Sequence, residues 1–411
     1  MSLQRLRRIL GARYRVIVES SPDLVQIVNQ KRARRRADLL AKQAAVPVSK
    51  RPQVVDDLEG RREWTIRAID LLRKIGYLTT PSGVNMAQLS ASWATRRYFW
   101  AVAEPDQGAQ AVSDFRLSAD ARQMDFHQKT LLSDEFGIGM AGLVLESFFA
   151  TDSFSDVSAA LGNPALFQNI AQQGEAEPDY LMWAEGGNTP YYVVECKGSQ
   201  TDRNTSYDQL RRGLEQVRTI NMEAEPRELM TLVIATCLLG ETTEILVLDP
   251  PSDKKREART RKSKDSSSER TFRVEDQKIF HRRAVIAHES NLLKWAGQYR
   301  TASDQDTRLG RALPEGAVLV DVPLVTRRTD FGEFRGVALP LFPELGARNL
   351  RIFTGVEAGL LDSVAHQPED LDHPEEQVVE RPKRFHRPPL NNAPGNIGIG
   401  PDGTCMIIEG L

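Results

Sequence analysis

Apolar positions spaced three and four apart mark helices along this chain, and short apolar runs bounded by Gly and Pro mark strands. Ser21 before Pro22 is an N-cap and first helical position, and predicts a helix from there to about Ala45. Trp64, Ala68, Ile69, Leu72 and Ile75 predict an amphipathic helix over Val54–Ile75, with Gly76 placed to end it. Further helices are expected over Met86–Val102, Ser133–Ala150, Ser206–Ile220 and 279–300. The runs DYLMWA and YYVVECKG flank the turn-rich EGGNTP and predict a hairpin. TLVIATCLL, Thr231–Leu239, predicts another strand. Val318–Val325, Gly336–Leu341, Leu350–Gly355 and the final CMIIE predict strands near the C terminus, with Pro401-Asp402-Gly403 as a turn.

Side chains alternate faces along a strand. On the second strand of the hairpin Tyr191, Val193, Glu195 and Lys197 share one face, and Tyr192, Val194 and Cys196 the other. Asp179 opens the first strand, and antiparallel pairing can set it beside Glu195. Two carboxylates and one ammonium then converge at the end of an apolar strand, which is costly without compensation. A divalent metal compensates: Mg²⁺ (or Mn²⁺) takes oxygen ligands and keeps several waters, so Asp179, Glu195 and the backbone carbonyl of Cys196 suffice as ligands. Carboxylates beside Lys197 stabilise its charged form, which makes it a poor base and suits it to orienting water and stabilising developing charge.

Pro178-Asp179, followed sixteen positions later by Glu195-Cys196-Lys197, resembles the PD-(D/E)xK, or restriction-endonuclease-like, nuclease superfamily. The resemblance covers residues 131–250. It implies an α/β fold whose core runs helix, three-stranded meander, helix, strand, and a metal-dependent nuclease acting on nucleic acid, with DNA the expected substrate. It implies catalytic roles for Asp179, Glu195, Lys197 and Gln209, with Gln209 and Arg212 on the helix after the motif strand touching the backbone or the water. Leu210, Leu214 and Val217 form that helix's apolar face. The family often carries a Glu on its first helix near the metal; Glu146 is the expected residue and Glu135 its competitor. Restriction, repair and antiviral defence are the processes such cores serve. The alternative of another class is a catalytically silent nucleic-acid-binding or scaffold subunit.

With 411 residues, 40% hydrophobic and 27% charged, the chain can bury a sizeable core and divide into two or three domains. No apolar run reaches the length of a membrane span. The net charge of −2 conceals segregation. Residues 1–51 hold 13 Lys or Arg against three acids, and are expected to form a basic helical arm. Its stripe Lys31, Arg32, Arg34, Arg35 and Arg36 suits a phosphate backbone. An Arg-rich start also resembles a transit peptide, but the reading preferred is a cytoplasmic protein. Three scattered cysteines, Cys196, Cys237 and Cys405, have neither zinc spacing nor a disulfide framework, and are expected to be buried in a reducing compartment.

Residues 54–130 are expected to be a helical region packed on the core. Ser252–Arg270, dense in charge and serine, reads as a flexible basic linker that can also brush a nucleic acid. Residues 271–411 read as an α/β region without recognisable chemistry, open to substrate selection, a protein partner or a second copy of the chain. Gly137, Gly139 and Gly142 spell GxGxxG, but no strand precedes them, so close helix packing explains them better than a dinucleotide. His281 and His288 lack a third ligand nearby and read as packing or surface histidines.

Overall fold

The computed structural model describes residues 3–47, 49–79, 93–106, 112–162, 177–184, 191–217, 220–222, 229–238, 240–249, 270–272, 274–311, 322–342, 349–366 and 394–410. The fold is α/β, with a mixed eight-stranded sheet and a five-stranded antiparallel sheet.

Helix α1 (Leu3–Gly11) leads into β1 (Arg13–Ser20), whose alternation buries Tyr14, Val16 and Val18 on one face. Helix α2 (Pro22–Ala41) follows, capped by the Ser21 side chain, which accepts from Leu24 N–H. Strand β2 (Gly60–Arg67) returns antiparallel to β1 through eight paired residues, from Ser20↔Gly60 to Arg13↔Arg67. Helix α3 (Ala68–Leu78) comes next. Residues 1–51 are thus no detached arm: they place a strand inside the sheet. Nor is Val54–Ile75 one helix, because the open ladder of β1 gives residues 60–67 backbone partners that a helix would forgo. Trp64 keeps a core role on β2, edge to face with Phe148. Gly76 lies inside α3 and does not end it.

Strand β3 (Val112–Asp114) runs parallel to the start of β1, and a short helix α4 (Ala119–Arg122) leads to α5 (Phe126–Phe148). With β2 and β3 in it, the region 54–130 mixes strand with helix. Then come β4 (Ser153–Asp156), α6 (Val157–Leu161), β5 (Tyr180–Trp183), β6 (Tyr191–Ser199), α7 (Arg203–Gln216), β7 (Ile220–Met222), β8 (Leu229–Cys237) and β9 (Glu244–Leu248). Strands β4, β5 and β6 form an antiparallel meander; β8 pairs parallel with β6, and β9 antiparallel with β8. The order across the sheet is β2-β1-β9-β8-β6-β5-β4, with β3 beside β1. The EGGNTP turn, the 252–269 part of the expected linker and the acidic-basic tract 369–388 lie outside the described residues. So do residues 86–92 of the helix expected over Met86–Val102 and 318–321 of the strand expected over Val318–Val325.

Helices cover both faces of this sheet. On one face Phe136, Met140 and Val144 of α5 pack with Val194, Leu232 and Ile234. On the other, Leu210, Leu214 and Val217 pack with Leu24 and Val28 of α2 and with Val233, Ala235 and Leu246 of the sheet. The glycines of α5 are packing residues: a Cβ at Gly139 would fall 2.4 Å from Ile75, and one at Gly142 2.7 Å from Leu78.

Strand β10 (Arg270–Phe272) pairs with β7. Helix α8 (Val274–Ala296), with α9 (Tyr299–Arg308) after it, lies against β4 and α6 and also against the second sheet. That sheet comprises β11 (Val325–Thr329), β12 (Gly332–Pro340), β13 (Arg351–Glu357), β14 (Ile397–Ile399) and β15 (Thr404–Glu409), in the order β11-β12-β13-β15-β14; α10 (Ala358–Ala365) follows β13. His288 is buried against Phe154 and Trp183, and His281 meets Trp183 edge to face and Tyr191 at a tilt, so both histidines are packing residues. All three cysteines are buried free thiols.

A buried ion cluster fastens the second sheet to the first. Arg73 and Lys74 of α3 meet Glu146 of α5 and Asp402 of the β14–β15 turn, and all four are buried. Arg73 lies 3.1 Å from Glu146 and 3.5 Å from Asp402, and donates to Thr404 Oγ1 at 2.6 Å. Lys74 pairs with Glu146 and stands 3.1 Å from Asp402. Two cations and two anions balance, which is the condition for burying them.

Candidate active site

The site forms where β5 begins and β6 ends. Tyr191 and Val193 pack with Leu181, Trp183 and Phe280, while Tyr192, Val194 and Cys196 enter the main core. The two faces of β6 are those its alternation predicts. Antiparallel pairing sets Tyr180 opposite Val194, so Asp179 stands opposite Glu195 one step on. Asp179 Oδ2 accepts from the Cys196 N–H at 2.7 Å, which ties the first acid to the strand of the second. Glu195 is fully buried, and Lys197, half-buried on the same face, forms an ion pair with its Oε1.

Small residues let both helices close on this strand end. A Cβ at Gly213 of α7 would lie 3.2 Å from Glu195 Cγ and 2.4 Å from Val233 Cγ1. A Cβ at Gly137 of α5 would lie 2.8 Å from the Lys197 backbone, and one at Gly198 only 1.7 Å from the Ser133 carbonyl. Gln200 fastens the same seam, donating to Lys129 O and Ser133 Oγ at 3.1 Å each. Gln209 donates through Nε2 to Gly198 O at 2.8 Å. Its Oε1 is buried and has no hydrogen-bond partner among the described residues. Arg212 is exposed on α7.

The electrostatics follow from this burial. Burial, and then the Asp179 charge, push the Glu195 carboxyl up to about 8, although Lys197 draws it back. Burial also raises Asp179; Lys197 and the Cys196 N–H oppose this, and the Asp134 and Asp156 charges add to it. For Lys197, burial favours the neutral amine, but Glu195 and Asp179 outweigh it and leave the ammonium stabilised. The ammonium is therefore a charge donor, not a base at neutral pH.

The donor set suits a divalent cation. Glu195 Oε2 is buried with no hydrogen-bond partner among the described residues, an unusual state for a carboxylate oxygen unless something else meets it. Together with Asp179, which the Cys196 N–H holds at 2.7 Å, it offers hard oxygen donors. Among the described residues no group of three or more His, Cys, Asp or Glu side chains is placed to hold a metal, so two carboxylates and backbone oxygen are the available set.

The structure separates Glu146 from this group. It sits nine residues beyond Gly137 along α5, about 13 Å by helical rise, and is engaged by Arg73 and Lys74. Glu135 is drawn to Arg97, 4.0 Å away, and to Tyr98. The acid of α5 that reaches the site is Asp134, whose carboxyl is raised by burial and lowered in turn by Lys197. Asp134 lies three residues before Gly137, where the helix backbone meets Lys197, and that glycine was the available signal.

The basic stripe divides. Lys31 is 2.8 Å from Asp208, and Arg32 donates to Ser49 and Asn29, so both serve the packing of α2. Arg34, Arg35 and Arg36 are exposed. No helix among the described residues is long and apolar enough to cross a membrane. No family model matches the chain, and no curated protein or solved structure matches it either.

Proposed function

We propose that this chain is a metal-dependent nuclease of the PD-(D/E)xK kind, hydrolysing phosphodiester bonds in nucleic acid, with DNA the expected substrate. The observation that carries the reading is the meeting of Asp179 and Glu195 with Lys197 at the end of two adjacent strands, with one oxygen of the buried Glu195 unpartnered among the described residues. The element order from α5 through β4, β5, β6 and α7 to β8 supports it, since helix, three-stranded meander, helix and strand is the core the motif implies.

Asp179, Glu195 and the Cys196 carbonyl would hold Mg²⁺ or Mn²⁺, which supplies charge at the scissile phosphate and acidifies a bound water. Lys197 directs its ammonium at the same point and stabilises negative charge as it develops on the phosphorus oxygens. Gln209, with its donor fixed on Gly198 O, presents Oε1 as an acceptor that can orient a water proton. Asp134 adds a third carboxylate at the rim and balances Lys197. Arg212 and the exposed Arg34–Arg36 would contact phosphates.

The test is cleavage of labelled DNA and RNA with Mg²⁺, with Mn²⁺ and with EDTA, alongside thermal melts. Asp179→Ala and Glu195→Ala are expected to abolish cleavage and to shrink the metal-induced rise in melting temperature, since only the native state binds the ion. Lys197→Ala is expected to lose cleavage but keep that rise. Lys197→Arg should not restore activity, because a planar fork replaces a compact ammonium. A wild type without metal-induced stabilisation, whose cleavage survives all three alanine changes, would place the chemistry elsewhere.

A further inference from the structure

The helices packed around the site carry two exposed features of opposite character. On the α7 side, α2 packs across α7, with Leu24 and Val28 against Leu210 and Leu214. Its Lys31 pairs with Asp208. The same lysine acts on Asp202, the α7 N-cap, whose carboxyl is held below its usual range first by the Thr205 N–H and also by Lys31. The N-cap end of α7 follows β6, the strand that carries Lys197, after three residues. Arg34–Arg36 follow Lys31 by three to five residues and so extend about 5–8 Å further along α2. They are exposed, and only Asp38 among residues 31–42 offsets them.

On the α5 side the exposed groups are aromatic. Phe126 is 79% exposed and Trp93 47%, and these are the large exposed aromatics among the described residues. Phe126 opens α5, eight residues or about 12 Å before Asp134 along the helix. Leu131, 48% exposed, lies between them. Trp93 carries the Arg97 guanidinium over its ring, 5.1 Å from the centroid, and Arg97 reaches Glu135, the residue after Asp134. Both aromatics thus sit on or beside the helix that brings Asp134 to Lys197. Aromatic faces left in water beside a cation make stacking platforms for bases, and every base has a face to stack.

Building on the nuclease reading, we propose that the site takes a nucleic-acid strand with unpaired bases: its phosphates lie toward Arg34–Arg36 and its bases stack on Phe126 and Trp93. A closed duplex keeps its bases stacked on each other and offers these rings nothing to cover. The substrate class is therefore a single strand, an overhang or a frayed end.

The experiment compares binding and metal-dependent cleavage of a labelled single-stranded oligonucleotide and a blunt duplex of the same sequence. Binding is measured in EDTA over a range of salt. Wild type should favour the strand. Phe126→Ala and Trp93→Ala should each weaken strand binding by about tenfold, leave the salt dependence unchanged, and leave melting temperature and metal-induced stabilisation as in wild type. Replacing Arg34, Arg35 and Arg36 together with Ala should flatten the salt dependence on either nucleic acid. If wild type cleaves with metal but prefers the blunt duplex, or if both aromatic variants bind the strand as wild type does, the stacking inference is overturned and the nuclease reading stands. A protein that neither binds nor cuts any of these nucleic acids overturns both.

Discussion

Glu195 gives the most direct physical test of the site, through the pH dependence of stability without metal. Its carboxyl is pushed up from the ordinary 4.5 to about 8, first by burial and then by Asp179. In the unfolded chain the group is ionised above that lower value. Between the two, the native state holds a proton that the unfolded state has lost, so stability falls as pH rises through this window. At about 1.4 kcal/mol per pH unit, the fall is about 5 kcal/mol at most. Unfolding entropy of about 2 cal/mol/K per residue converts this, for 411 residues, to roughly 6 °C. Glu195→Gln is nearly isosteric and cannot titrate. In metal-free buffer its melting temperature should gain on wild type progressively from pH 5 to pH 8. On the metal-site reading, adding Mg²⁺ at pH 8 should narrow the gap, because the ion would stabilise the ionised carboxylate in wild type alone. A gap that stays constant across pH, or a wild type that gains stability relative to the variant on going to pH 8, would refute the assignment of a buried, charge-frustrated Glu195.

Asp402→Asn should destabilise the protein by about 3–5 kcal/mol, because Arg73 and Lys74 would share Glu146 alone; chemical denaturation checks this, and an unchanged midpoint would mean the cluster is not what joins the sheets. Burial works against the ionised Asp402, yet Lys74 and Arg73 hold its carboxyl well below the usual range, so the contribution is present at neutral pH and lost only as pH falls through that depressed value. Gly198→Ala should prevent α5 from seating on β6, since its Cβ would lie 1.7 Å from the Ser133 carbonyl; loss of soluble folded protein is expected, and a variant with wild-type melting would show that this seam yields easily.

How much was legible in the sequence depended on how local the cause was. Alternation along YYVVECKG is a property of the strand itself, so the shared face of Glu195 and Lys197 follows from the order of the residues alone, while the placing of Asp179 opposite, open to a hairpin, took the β5–β6 register to fix. The same holds for the Ser21 cap of α2, the apolar face of α7 and the packing role of the α5 glycines. Tertiary structure decided the rest, because the causes lie in residues far apart in sequence. Strand β2 exists because β1 offers it a ladder, which outweighs the helical spacing from Trp64 to Ile75. Glu146 turned away because its counter-ions are Arg73 and Lys74, themselves bound to Asp402 over 300 residues later, while Asp134 lies on the turn that meets β6 and feels the Lys197 charge. The five arginines and lysines of the α2 stripe look alike as letters. Only the packing of α2 against α7 makes Lys31 an ion-pair partner of Asp208, and only the returning chain gives Arg32 its contact with Ser49, while Arg34, Arg35 and Arg36 stay in solvent, because charge is local while these partners are not.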